Sequence, residues 1–207
     1  MSLISRSGLC VTEGEVLAHG TSGLSVDVPK MRAYVNQPAA DRAQIHFTYL
    51  GPTATRSALG SGASRVQFGL KLHSADACNL VYVMWRIEPE SKLVVSVKSN
   101  PGQHSSSQCS NHGYQNIKAR SSLPAPPLTA GQSHTLRATL RADELQAFID
   151  DRLVWQGSLG PIAASMQGSA GIRSDNARLQ FNLESDHASP NPTSRLPGCR
   201  TGPEESE

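Results

Sequence analysis

The sequence contains no run approaching the ~20 consecutive apolar residues that a membrane-spanning helix needs, so no such helix is expected. Charge is sparse as well: Asp, Glu, Lys and Arg make up 17% of 207 residues and the formal net charge is +2, with no Lys/Arg block of the kind that tracks phosphates, which argues against a nucleic-acid partner. Phosphate-cradling glycine loops and the G-x-S-x-G nucleophile elbow are both missing. No repeat recurs at a fixed period, which excludes propellers and solenoids. The opening MSLISRSGLCVTEGEVLAHG lacks the apolar core of about 7–15 residues that marks a secretory signal, so a leader is either absent or already removed.

Leu, Glu and Lys are too few for long helices, whereas 17 Gly, 13 Pro and abundant Ser suit many short strands joined by turns. The length fits one large all-β domain better than two small ones. The expected division is a lead-in over residues 1–23, a β-sandwich over 24–185 and a flexible Pro/Ser/Gly-rich tail over 186–207, which cannot bury enough apolar surface to offset its ordering entropy. The four cysteines, Cys10, Cys78, Cys109 and Cys199, allow three complete pairings. Cys78 and Cys109 flank the hairpin predicted over 80–100 and are the expected pair, leaving Cys199 to tie down the tail. An even cysteine count in such a composition leans toward an oxidising, secreted or extracytoplasmic setting.

Period-2 alternation places the strands. LSVDVPKMRAYV (24–35) reads as a β stretch with Lys30, Arg32 and Tyr34 on one face. AQIHFTYL (43–50) sets Ile45 and Phe47 against Gln44, His46 and Thr48. RVQFGLKLHS (65–74) points Val66, Phe68, Leu70 and Leu72 inward and Gln67, Lys71 and His73 outward to solvent. LVYVMWRI (80–87), apolar on both faces, is predicted to lie centrally, with Tyr82, Met84 and Arg86 opposite Val83 and Trp85. KLVVSVKSN (92–100) shows Ser96, Lys98 and Asn100 on its polar side. PGQHSSSQCSNHGY (101–114) is a long polar loop and the first place to look for function. SSLPAPPLTAGQ (121–132) is an extended connector laid over the sheet, and HTLRATLR, LQAFID and RLVWQG form a meander that turns at Asp150-Asp151.

Two segments carry a family resemblance. LQAFIDDRLVWQG resembles the strand-turn-strand of the concanavalin A-like lectin/glucanase superfamily, and GSAGIRSDNARLQFNL resembles its closing strand; the likeness covers residues 130–183 well and 24–120 only as strand pattern. It implies an antiparallel jelly-roll sandwich, and it specifies a fold without specifying a reaction. The superfamily's glucanases carry an ExDxxE arrangement, which is absent here, and the acidic pairs Glu88/Glu90 and Asp143/Glu144 fall in turns, so retaining hydrolysis is disfavoured. Its alginate-lyase branch carries a Gln-Ile-His strand, matched by Gln44-Ile45-His46, but the partner "YFKAG" is missing. A polysaccharide lyase acting on a uronate-containing glycan would use His46 as base, Tyr82 or Tyr114 as acid, and Gln44 and Arg86 as carboxylate neutralisers.

The preferred expectation is binding of an oligo- or polysaccharide. If the polar strand faces align, Arg32, Tyr34, Lys71, His73, Tyr82, Arg86, Lys98 and Asn100 form a basic, partly aromatic surface suited to an acidic glycan. A laminin-G-like protein-interaction domain, working through its loop edges, is the remaining alternative. His104, Cys109 and His112 have the spacing of a weak zinc motif, which a disulfide at Cys109 and two exposed histidines explain better. Asp175, Asn176 and Asp186 are possible structural calcium ligands in this superfamily, although turns use Asp and Asn for their own hydrogen bonds; no metal or cofactor is assigned.

Overall fold

The computed structural model describes residues 1–36 and 40–186. In chain order the strands begin with β1 (Ser2–Leu3), β2 (Leu9–Glu13), β3 (Leu17–His19), β4 (Gly23–Val26), β5 (Lys30–Val35) and β6 (Arg42–Pro52). They continue with β7 (Val66–Ser74), β8 (Leu80–Glu88), β9 (Lys92–Lys98), β10 (Tyr114–Asn116), β11 (Ser121–Ser122) and β12 (Ser133–Arg141). The last four are β13 (Glu144–Ile149), β14 (Arg152–Ser158), β15 (Ser169–Asp175) and β16 (Ala177–Ser185); short helices α1 (Ser106–Cys109) and α2 (Gly160–Ser165) follow β9 and β14.

These strands form two antiparallel sheets packed face to face as an all-β sandwich of jelly-roll type. One runs β11-β14-β13-β12-β6-β16-β4-β3, with β1 added on β16; the other runs β10-β9-β8-β7-β15-β5-β2. The core lies between them, and β5, β6, β12, β13 and β16 bury alternate residues in it. Its centre is aromatic: Phe47 of β6 meets Phe68 of β7 at a centroid distance of 4.4 Å and Trp85 of β8 at 5.7 Å, and all three side chains are buried. Trp155, on β14, is buried in the same core.

The predicted meander is β12, β13 and β14. Its β13-β14 turn holds Asp150 and Asp151 at φ 49° and 61°, the left-handed pair a tight hairpin turn requires and that Asp tolerates better than most residues. The Asp150 carboxylate also accepts the Thr135 backbone N–H at 2.8 Å, fastening the turn to β12.

Three expectations need correction. The stretch 24–35 is two strands in different sheets, β4 and β5, because Pro29 cannot donate to a ladder and the chain crosses the sandwich there. Residues 1–23 are no mere lead-in: β1 pairs with β16, β2 with β5 and β3 with β4. The outward residues of β7 are not a solvent face either, since all nine residues of that strand are buried, Lys71 and Gln67 included. The predicted tail beyond Asp186, with Cys199, lies outside the described residues.

Phe47→Ala should lower stability by roughly 3–5 kcal/mol, because it opens a cavity against two rings of the facing sheet. Urea unfolding followed by tryptophan fluorescence reads the change.

Candidate functional site: a cationic cleft on the seven-stranded sheet

The outer face of the seven-stranded sheet is roofed by the loops 75–79 and 101–113, and between floor and roof lies a cleft of about 830 Å³. That is within the usual size range for ligand sites. Its floor is written in strand register. One row across the sheet reads Cys10, Tyr34, Gly171, Lys71, Tyr82 and Ser96; the next places Glu13 beside Arg32, Arg32 beside Arg173, and Arg173 beside Gly69. The two glycines matter. A Cβ on Gly171 would run into the Ala33 carbonyl oxygen and one on Gly69 into that of Val83. The gap at Gly171 lets Lys71 Nζ sit 3.8 Å from the centre of the Tyr34 ring, and that at Gly69 leaves room for the Arg173 guanidinium to lie 5.1 Å from the centre of Tyr82.

Asp175 organises the cations. It is completely buried and accepts from Arg32 Nη2 at 2.6 Å, Arg173 Nε at 2.8 Å and Gln67 Nε2 at 2.7 Å. Burial alone would raise its carboxyl, but Arg173 and Arg32, helped by the Gln67 amide, hold it below the ordinary aspartate value. Arg173 Nη1 then donates to the Tyr114 hydroxyl at 3.2 Å, and the Tyr82 and Tyr114 rings stack at 5.8 Å. Burial pushes Tyr34 up to about 12, with Asp76 adding to it, and pushes Tyr82 up further. Tyr114 shifts the other way: burial raises it, yet Arg173, Lys98 and hydrogen bonds with Tyr82 and Arg173 prevail and lower it.

The roof is held covalently and by a carboxylate. Cys78 and Cys109 form a disulfide between the two loops. Asp76 accepts from the Cys78 and Asn79 backbone N–H groups at 2.7 and 2.8 Å and pairs with His104 Nδ1 at 2.7 Å. Lys98 reaches up from β9 and donates to the Ala77 carbonyl at 3.2 Å, the Ser110 carbonyl at 2.9 Å and Cys109 Sγ at 3.1 Å.

No protein-family model and no curated sequence matches the chain. Solved structures do. The carbohydrate-binding module CBM66 from Bacillus subtilis superimposes with a TM-score of 0.59 at 13% identity over 84% of this chain and 91% of that one. The carbohydrate recognition domain of Emp46p gives 0.51 at 13% identity over 88% and 90%. The fold is the concanavalin A-like jelly roll.

In this jelly roll the residues singled out from the sequence separate into groups. Arg32, Tyr34, Lys71, Tyr82 and Lys98 line the cleft. His73, Arg86 and Asn100 do not. A bulge sets His73 at φ 48°, and its Nε2 turns to Asp41 at 2.7 Å. Arg86 lies further along β8, opposite Gln67 and Lys92, and the Asn100 amide ties the Cys78 and His112 carbonyls at 3.1 Å. The predicted catalytic set is not assembled: Gln44 and His46 belong to β6 of the other sheet, where His46 is exposed and bonded to Thr135, whereas Tyr82 and Arg86 are on β8. Met84 packs with Leu80 and Tyr82 on the roofed face.

Of the weighed calcium ligands, Asp175 is engaged by arginines, Asp186 accepts the Arg42 N–H, and the Asn176 amide is saturated by Ser57 and Arg65 backbone groups. Of the carboxylates expected in turns, Glu88 ends β8 and Glu144 opens β13; these two and Glu90 pair with Arg56, Arg120 and Lys92 respectively. The sequence reading missed Arg173, Asp175 and Glu13 as cleft groups. The alternation of GIRSD put Arg173 and Asp175 on one face, and only the neighbouring strand order was needed to bring Arg173 over Tyr82 and Asp175 beside Arg32.

Two outcomes follow. Asp175→Asn should lower stability at neutral pH by roughly 3–5 kcal/mol, because two guanidiniums lose their buried counter-ion. The wild-type carboxyl is depressed in the folded state, so its contribution is present above the unfolded value of about 3.9 and is lost as pH falls through the folded value; urea midpoints measured down an acid series should show that loss in the wild type and a flatter profile in the variant. Replacing both Cys78 and Cys109 by Ala opens a 31-residue loop and should cost about 3–4 kcal/mol in the chain-entropy account, read from the same unfolding curves.

Proposed function

We propose that the cleft binds an oligo- or polysaccharide bearing acidic groups, in a secreted or extracytoplasmic setting. The observation that carries this reading is the convergence in one roofed cleft of Arg32, Lys71, Lys98 and Arg173 with the tyrosines 34, 82 and 114. Against those cations, and Lys30 at the rim, the lining sets only Glu13 and Asp76, with Asp175 beneath, so the cleft carries a surplus of positive charge. Tyr114 is the most accessible ring there, 39% exposed, and offers a face to sugar C–H groups, while the Ser105, Ser106 and Asn111 side chains along the roof supply the small polar groups that bridge hydroxyls.

The names of the two similar structures, a carbohydrate-binding module and a carbohydrate recognition domain, support this reading. Binding is preferred to lyase catalysis because Gln44 and His46 are a sheet away from Tyr82. It is preferred to a laminin-G-like protein contact at the loop edges because such a contact would leave the surplus positive charge of the cleft unanswered. The disulfide supports an oxidising compartment.

A glycan array with neutral, uronate-containing and sulfated oligosaccharides tests the proposal. Retention of acidic glycans, unaltered in mass after incubation, is the expected result, and Tyr114→Ala should weaken it by about 1 kcal/mol, roughly fivefold in Kd. Retention of nothing, or a Kd indifferent to Tyr114, would refute the assignment.

A further inference from the structure

The four cations that reach the cleft's interior are not equivalent, and their hydrogen bonds tell them apart. Arg32 is engaged by the Met31 and Ser174 carbonyls and by Asp175. Lys98 has three acceptors in the roof, one for each of its protons. Arg173 is fixed by Asp175 and Tyr114 through Nε and Nη1, and its Nη2 has no hydrogen-bond acceptor among the described residues. Lys71 differs from all three. It is 1% exposed, it lines the cleft, and among the described residues its Nζ meets the Tyr34 ring and no hydrogen-bond acceptor.

A cation placed so is costly to keep charged. Burying an ammonium without a partner is costly, and a ring face returns only part of that cost. The surroundings add to the cost. Arg32 from β5 and Arg173 from β15 repel it, while Glu13 of β2 and Asp175 of β15 partly compensate; Tyr34 and Tyr82, with hydroxyl values raised, stay neutral. Asp76 of the roof turns its carboxylate to its own loop and His104, and on β7 itself His73 faces Asp41 and Gln67 faces Asp175. Burial first, then the two arginines, therefore hold the Lys71 amine well below the ordinary lysine value.

We propose that Lys71 is the anion-binding residue of the cleft: one singly charged oxyanion of the glycan, a carboxylate or a sulfate ester, docks on its Nζ with the spare Arg173 Nη2 alongside, and docking takes up a proton at Lys71. This rests on the reading of the cleft as an acidic-glycan site. In balance, the amine lone pair takes a proton from solvent or buffer and the resulting ammonium donates to the incoming oxyanion, with no covalent bond formed to the ligand. The anion supplies the partner that the protein withholds, so the proton on Lys71 is held more tightly in the filled site than in the empty one. Affinity for acidic ligands is then level below the free-state value of Lys71 and falls as pH rises above it, by up to about tenfold per pH unit.

Isothermal titration calorimetry in paired buffers of different ionisation enthalpy tests this. The probes are hexasaccharides of galacturonate, mannuronate and hyaluronan, a dextran sulfate hexamer, and the uronate hexamers after reduction of their carboxyl groups to alcohols. The expected result is uptake of up to one proton per bound acidic hexamer. Lys71→Met should bind that hexamer roughly ten- to a hundredfold more weakly, at the level of its reduced form, while melting no lower than the wild type. Lys71→Arg, which cannot lose its proton, should bind without proton uptake and with a flat pH profile.

Tighter binding of uronate than of dextran sulfate assigns a carboxylate, and the reverse order a sulfate ester; either supports the anion subsite. Acidic hexamers bound without proton uptake and equally well by Lys71→Met would overturn it while leaving the carbohydrate cleft standing. Equal binding of acidic and reduced hexamers by the wild type would likewise remove the anion subsite and keep the cleft. Failure of every hexamer to bind would remove both.

Discussion

A carboxylate shut off from water governs this side of the molecule. Asp175 holds Arg32 and Arg173 in a fixed spread across two strands, and that spread sets the charged floor of the cleft. Arg173 is thereby aimed over Tyr82 and onto Tyr114. Arg32 is thereby kept from collapsing onto Glu13, from which its Nε stands 3.8 Å. Taking two guanidiniums and a carboxylate out of water is a poor route to stability compared with apolar packing, and its value lies in rigidity: charges that do not rearrange when a ligand arrives lose little in ordering.

The roof answers a different requirement. A 101–113 segment this rich in Ser, Gly, Gln and His has almost no apolar surface with which to hold itself down, so its attachment is covalent and polar: a disulfide, the Asp76 carboxylate, and the Lys98 ammonium threaded between carbonyls. Lys98 looks from its strand position like a group awaiting a ligand. In the folded molecule it is a peg.

The sandwich itself was legible because alternation is a one-dimensional signal. Val66, Phe68, Leu70 and Leu72 could be placed inside from their spacing alone, and the Asp150-Asp151 turn from residue chemistry. The cleft was only half legible. Face assignment picked out Arg32, Tyr34, Lys71, Tyr82 and Lys98, since residues two apart on a strand share a side. It failed where distant parts of the chain decide: a bulge swings His73 away, Pro29 sends the chain from one sheet to the other, and β15, far along the sequence, inserts between β5 and β7 to deliver Arg173 and Asp175. Gln44-Ile45-His46 shows the converse, a local pattern that matches a known motif yet belongs to the wrong layer.

Gly171 lies between the strands carrying Tyr34 and Lys71, and its missing side chain is what allows those two to touch. Because any larger residue there would collide with a neighbouring strand's backbone, the floor of the cleft is closed to gradual alteration. The overhanging segment is under no such restraint, since Ser105, Ser106 and Asn111 project from a stapled loop whose anchors lie elsewhere. Relatives of this molecule that came to favour other ligands would therefore be expected to differ in the canopy and agree in the pavement.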